Sequence, residues 1–223
     1  MTVAESIAFV RTLLDEPKYE YFGTSTNLNA VFIEALREAA AQVARECWNR
    51  GEKEALRPLW KEAQLTLGVN QNSAMPEDYM FIESVRSNYR DQLAKQWPHK
   101  YVSPAVFNRR RNRTPFENVS GISYDGGTKF ITRAEYTLIG SDLYATATGS
   151  NKSVVVTYIA VPVVPTTPLT SSMPLAEYIH PMICEKAAEI MYRKEHPGED
   201  RQMLGSIYDI EAAIYNVMRG AKQ

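Results

Sequence analysis

Apolar side chains recur every three to four residues near the N-terminus, which is the pattern of an amphipathic helix. This spacing predicts a short helix over residues 3–15. Capping residues at 24–27 and a stop at 49–51 predict a second helix of about 22 residues with one apolar face. That face consists of Leu28, Phe32, Leu36, Ala39, Val43 and Cys47.

A third helix is predicted over residues 53–67, because Leu56, Ala63 and Leu67 continue the helical spacing. Pro58 lies inside this stretch and has no N–H to donate. We therefore expect the regular helix to start or kink there.

The pattern changes to alternation and β-branched residues between positions 70 and 165. Its strongest strand is the run VVVTYIAVPVV at 154–164. Glycines in short polar segments predict two hairpins, one at 125–127 and one at 149–152. Shorter strands are predicted at 79–85, 101–102, 106–107 and 143–147, and the arms of the second hairpin are predicted at 143–147 and 153–160.

Helical spacing returns after residue 174. Pro181 predicts a kink or a late start of the helix that follows, and a turn at 196–198 leads to a last helix over 199–219. These two helices form a predicted αα-hairpin. The apolar row of the first one is Leu175, Ile179, Ile183, Ala187, Ile190 and Met191.

This order of segments predicts an α+β fold, in which N- and C-terminal helices form a helical bundle with an inserted antiparallel β region. The N-terminal helices of the bundle are expected in residues 1–69 and the β-rich region in 70–170. A C-terminal helical hairpin in 171–223 is expected to complete the bundle.

Composition agrees with a globular protein. The chain has 223 residues, of which 44% are hydrophobic and 23% are charged, enough to build a core without disulfides or metals. Cys47 and Cys184 lie in helical stretches and are expected to be buried thiols. No apolar run approaches the roughly 20 residues of a membrane span, and the N-terminus lacks a secretion signal.

A search for catalytic chemistry finds no motif for phosphate binding, dinucleotide binding, zinc proteolysis or serine hydrolysis. His99, His180 and His196 are too scattered to form a ligand cluster, and His180 is expected at the surface or at a helix end. The sequence therefore offers no candidate catalytic residue, although catalytic groups can assemble from distant positions, and we expect no cofactor and no metal.

Charge is segregated along the chain, although the net charge is only −1. Residues 1–89 sum to −4, residues 90–134 to +6 and residues 135–223 to −3. The positive segment contains four closely spaced arginines, which repel one another and must be solvated or paired with external anions. They are Arg109, Arg110, Arg111 and Arg113. Three interpretations remain open: a solvated loop or strand edge, a contact to an acidic protein surface, or a contact to DNA phosphates.

Three stretches of the chain resemble the head-to-tail adaptor (connector, or head-completion) proteins of tailed bacteriophages. They are MPEDYMFIESV at 75–85, SVVVTYIAVP at 153–162, and the segment from MPLAEYIHPM to IYDIEAAI at 173–214. The similarity in layout covers residues 28–219.

This resemblance implies a structural virion protein without catalysis. Such adaptors form a ring, commonly of twelve copies, below the portal, extend the DNA channel and provide the platform to which the tail attaches. The implied partners are other copies of the chain, the portal, tail or nozzle proteins and passing genomic DNA, with no membrane. The implied location is the virion neck, after synthesis in the host cytoplasm. The alternative function is a soluble nucleic-acid-binding or regulatory module that uses Arg109–Arg113 as a basic loop.

Overall fold

The computed structural model describes residues 1–14, 25–68, 70–87, 98–113, 135–146 and 153–195, with the backbone alone at 25–28, 87, 110–113 and 195. These residues form five α-helices and seven β-strands, so the fold is mixed α+β as predicted. The chain divides into two compact units. The first is Met1–Leu59 with Val161–Gln223, and the second is Trp60–Ala160.

The helices of the first unit come from both ends of the chain. They are α1 (Val3–Leu13), α2 (Ser25–Asn49), α3 (Lys53–Leu56) and α5 (His180–Glu195), and the remaining helix of the described residues, α4 (Pro104–Arg113), belongs to the second unit. α2 and α1 both pack against α5. The predicted last helix, at 199–219, lies outside the described residues.

The start of α1 is fixed by a capping box, in which Thr2 accepts from the Glu5 backbone N–H and the Glu5 side chain accepts from the Thr2 N–H. Val3, Ile7 and Val10 are buried, as their spacing predicted. The backbone N–H of Val3 also donates to the carbonyl of Ser171 at 2.9 Å. The N-terminal segment is thereby joined to the stretch that precedes α5.

The predicted apolar faces of the two long helices are confirmed. From Phe32 to Cys47, every described member of the α2 row is fully buried, and the row that runs from Leu175 to Met191 is buried throughout. α5 begins only at His180, so Pro181 lies in its first turn, where its missing N–H has no helical partner to lose. Of the two positions predicted for His180, the structure shows the helix end, and the side chain there is 3% exposed.

The predicted third helix is wrong beyond its first turn. Residues 57–59 form a single 3-10 turn around Pro58, and residues 60–66 form a strand. The strand forms here because of a contact in the tertiary structure. Trp60–Thr66 pairs residue by residue with a buried strand, and this pairing overrides the local helical spacing.

The second unit contains two sheets. The strands are β1 (Trp60–Thr66), β2 (Asn72–Ala74), β3 (Tyr79–Ser87), β4 (Lys100–Tyr101), β5 (Glu135–Ile139), β6 (Asp142–Ala145) and β7 (Ser153–Ala160). An antiparallel sheet has the order β1-β7-β3, and a mixed sheet has the order β2-β6-β5-β4, with β4 parallel to β5. Both sheets contribute to one hydrophobic core, whose buried members include Val85, Leu143, Ala145, Val154, Val156 and Tyr158.

The strand predictions are confirmed only in part. β7 is the central strand of its sheet, as its hydrophobicity predicted. The predicted hairpin around 149–152 is wrong, because β6 and β7 lie in different sheets. The tight hairpin joins β5 to β6 instead, and Gly140 in its turn has φ +63. The hairpin predicted at 125–127 lies outside the described residues.

Ile183→Ala tests the packing of α5 in the first unit. Ile183 is fully buried, so we expect the free energy of unfolding to fall by about 2–5 kcal/mol because a cavity replaces the side chain. Urea denaturation measures this loss. The matched control is Val31→Ala on α2, whose side chain is 44% exposed and should change stability by under about 1 kcal/mol. Equal effects would contradict the packing.

His99 makes the stability of the second unit depend on pH. Its backbone N–H donates to the Val85 carbonyl at 2.8 Å, and its Nδ1 lies 3.3 Å from the Glu135 carbonyl oxygen. Burial lowers the pKa of His99 below its ordinary value of 6.5. The unfolded chain therefore binds a proton more readily than the folded chain, and stability is lost as the pH falls below 6.5.

We expect His99→Gln to reduce the loss of stability between pH 7.5 and pH 5.5, measured by urea denaturation at both values. His180 has a lowered pKa for the same main reason, burial, so the quantity to compare is the difference between variant and wild type. An unchanged pH dependence in the variant would show that His99 is not the responsible group.

Candidate interaction surfaces

The arginine cluster lies in α4, and its interpretation as a loop or a strand edge is wrong. The strand predicted at 106–107 is likewise part of this helix. Pro104 is the first helical residue, a position that suits proline because its missing N–H and fixed φ fit the first turn. The pair Ser103-Pro104 was the sequence signal for a helix start, and the strand interpretation overlooked it.

Phe107 anchors α4 to the mixed sheet. Its side chain is 3% exposed, and its ring meets that of Tyr144 edge to face at a centroid distance of 6.4 Å. Tyr144 is paired with Thr137, which is fully buried. The helix therefore packs on the face of the mixed sheet that carries Tyr144, through an aromatic contact. The side chains of Asn108 and Arg109 are exposed.

Arg109 is the member of the cluster whose surroundings the structure shows. No carboxylate among the described residues lies within ion-pair distance of it. The other three candidates, Arg110, Arg111 and Arg113, follow in the same helix. Lys100 and Tyr101 on the neighbouring strand β4 are also exposed, and the Tyr101 ring contacts that of Tyr136 at 5.6 Å. This end of the second unit thus presents cationic and aromatic groups to solvent.

A second polar group ties together three segments of the antiparallel sheet. Asp78 accepts from Lys61 Nζ at 2.6 Å and from the Tyr158 hydroxyl at 3.0 Å. The hydrogen bond from Lys61 holds the pKa of Asp78 below its usual value, and the same bond raises the pKa of Lys61. Burial, followed by the contact with Asp78, raises the pKa of Tyr158. The Asp78 carboxylate therefore joins strands of this sheet.

The opposite face of the same sheet carries a second cross-strand group. Arg86 on β3 donates to Glu62 on β1 at 2.6 Å and to the Thr157 hydroxyl on β7 at 3.1 Å, and Thr157 donates to Glu62 at 3.2 Å. One side chain from each strand takes part. Within each of the two polar groups of this sheet, the side chains therefore form hydrogen bonds to one another across strands.

The two cysteines are buried, as predicted. Burial raises the pKa of Cys47 and of Cys184 to about 11, so both are protonated thiols at neutral pH and poor nucleophiles. The described part of the chain contains no cluster of three His, Cys, Asp or Glu side chains placed to hold a metal ion. None of its helices combines the length and the apolar character that crossing a bilayer requires.

The second unit therefore combines cross-strand polar groups with an arginine-rich helix packed on its mixed sheet. Residues 1–218 match the family described as SU10 adaptor protein. The chain belongs to this family, a family of phage head-to-tail adaptors, and the resemblance predicted from the sequence is confirmed. Comparison with curated proteins finds no similar sequence. Membership implies a structural role at the virion neck, with portal and tail proteins as neighbours.

Phe107→Ala tests the anchoring of α4. We expect a loss of about 3–5 kcal/mol in the free energy of unfolding, since a buried aromatic side chain is removed. Hydrogen exchange of residues 104–113 should also become faster. Asn108→Ala is the matched control, because the neighbouring side chain is exposed and should change stability by under about 0.5 kcal/mol. Unchanged exchange in the Phe107 variant would contradict the anchor.

Proposed function

We propose that the chain is a structural, non-catalytic adaptor that forms a ring below the portal, extends the DNA channel and provides the platform to which the tail attaches. Family membership supports the placement at the neck. The observation that carries the proposal is the match to the adaptor family over residues 1–218, nearly the whole chain.

The copies of a closed ring meet through heterologous contacts, in which one patch of a copy meets a different patch of the next. The described side chains support such a static role. The carboxylates Asp78 and Glu62 are engaged in cross-strand contacts, and the thiols of Cys47 and Cys184 are buried and protonated. These groups stabilise the fold and are not poised for a reaction.

The arginines of α4 are the proposed partner contacts. Arg109 is exposed and has no ion-pair partner among the described residues, and the segment 90–134 carries a charge of +6. An anionic surface on a portal or tail protein, or DNA passing through the ring, would neutralise this charge.

Assembly on the purified portal of the same virus tests the proposal. Negative-stain microscopy should show a ring of the wild-type chain on the portal. A variant with Arg109→Glu, Arg110→Glu and Arg111→Glu should assemble at least tenfold more weakly, because like charges then face the anionic partner. The matched control reverses Arg37, Arg45 and Arg193, three arginines of the first unit, to Glu and should assemble normally.

Absence of any wild-type ring on the portal would overturn the adaptor function. Unchanged assembly of the α4 variant would remove the arginines from the interface and leave the adaptor function in place.

The alternative function, a soluble nucleic-acid-binding or regulatory module, is favoured by a single observation, the exposed side chain of Arg109 in a helix that contains four arginines. DNA affinity separates the two functions. Binding through several arginine–phosphate contacts should fall by orders of magnitude between about 50 mM and 200 mM salt. An adaptor should show only weak affinity for DNA at either concentration while still forming a ring on the portal.

A further inference from the structure

The outer edge of β1 is open in the part of the chain that the structure describes. β1 is the outermost strand of its sheet and pairs with β7 over all seven of its residues. Outside the regular helices and strands, no backbone hydrogen bond joins residues 60–66 to another described residue. Five of these seven residues are exposed. The outward N–H and C=O groups of β1 are therefore a template for an additional strand.

The other sheet edges are protected. β3 has two register shifts, and its outer side is occupied near its end, where Arg86 bridges to Pro98 and the His99 N–H bonds to the Val85 carbonyl. β2 and β4 have only three and two residues. Short or irregular edges are the usual means by which proteins avoid pairing with other chains. β1 is neither short nor irregular, since it pairs over seven residues without a register shift, and it contains no proline.

The charged side chains of β1 do not block its edge. Lys61 is held by Asp78 on one face of the sheet, and Glu62 is held by Arg86 on the other. Apolar groups also reach this edge. Trp60 is 42% exposed, and Ala63 and Leu65 pack against the core while remaining only half-buried. An added strand would shield these apolar side chains as well as satisfy the backbone.

A complementary segment follows β7 in the same sequence. In residues 161–164 the burial alternates, with Val161 38% and Val163 66% exposed, while Pro162 and Val164 are buried. An alternation of period two is the pattern of extended chain. Outside the regular helices and strands, no backbone hydrogen bond joins residues 161–167 to another described residue.

The positions of the prolines suit pairing along one edge of this segment. A strand uses the N–H groups of alternate residues toward a given neighbour. Val161 and Val163 both have an N–H, and Pro162 lies at the intervening position, where the N–H points away and is not needed. The segment can therefore donate two hydrogen bonds to a neighbouring strand. Its two exposed valines then lie on one face of the extended sheet, beside the side chains of that strand.

From these observations we propose that residues 161–164 of one copy add as a strand to the outer edge of β1 in a second copy. The two surfaces differ, so the contact is heterologous and can continue from copy to copy around a ring. This interface rests on the proposed function in one respect, namely that copies of the chain meet in a ring. The backbone groups of β1 and of residues 161–164 are the groups through which the copies meet.

Cross-linking between two single variants tests the interface. Gln64→Cys places a thiol on the exposed side of β1, and Val163→Cys places one on the segment. The native cysteines are buried and should not react. In rings assembled on the portal from an equimolar mixture, a short bismaleimide should join Cys variants of different kinds several-fold more often than variants of the same kind. Predominant Gln64→Cys homodimers, or no cross-links in a formed ring, would overturn the proposed contact.

Hydrogen exchange and a charge substitution provide an independent test. The outward-facing amides of residues 60–66 and the amides of Val161 and Val163 should exchange at least tenfold more slowly in the ring than in the isolated chain. Val163→Asp should abolish this protection and weaken ring assembly, because it places a carboxylate in the interface. Val31→Asp, at an exposed valine of α2, is the matched control and should assemble as the wild type does.

Different results would contradict the strand interface and the adaptor function. If the wild-type ring forms while residues 60–66 exchange as fast as in the isolated chain, the strand interface is wrong and the adaptor function stands. If the wild-type chain forms no ring on the portal, the adaptor function fails and the interface fails with it.

Discussion

The second unit depends on the pairing of β7 with two strands from distant parts of the sequence. β1 and β3 have no other partner within their sheet, so each is held in place by the buried central strand. From Val154 to Ala160, six of the seven β7 residues are buried, and side chains on one face fill the core shared with the mixed sheet. The apolar run that made this segment conspicuous is therefore the part of the chain that organises the sheet. The cross-strand groups centred on Asp78 and Arg86 then fix its neighbours in register.

A comparable long-range constraint organises the first unit. Residues 1–4 bond through their backbone to residues 169–173, and α5 packs against both α1 and α2. The burial of Ile183 and Phe32 requires segments separated by about two thirds of the chain. Contacts of this kind form late in folding and leave little signal in local sequence. The fold class was predictable because each helix also has its own apolar face, whereas the way the faces combine follows from tertiary packing.

The limits of sequence interpretation appear at particular residues. The prediction of a helix over 53–67 was wrong because the segment WKEAQLT contains good helix formers and also alternates in the manner of a strand. Only pairing with β7 selects the strand. The hairpin predicted around 149–152 failed because strands adjacent in sequence belong to different sheets. α4 was missed because its arginines were interpreted as a repelling loop, although Pro104 is typical of a helix start. The family resemblance succeeded where local interpretation failed, since it used the order of segments over the whole chain.

The site residues show why an adaptor is hard to recognise from chemistry alone. A catalytic site concentrates titratable groups with shifted pKa values in one place. Here the shifted groups are dispersed: Asp78 with its partners joins strands, His99 joins two sheets, and the cysteines lie in the helical core. At the surface of the part of the chain that the structure describes lie an open strand edge on β1 and an arginine-rich helix on the mixed sheet. An additional strand would satisfy the open backbone groups of β1, and an anionic partner would neutralise the arginines of α4, so the proposed contacts use groups that the described residues leave available.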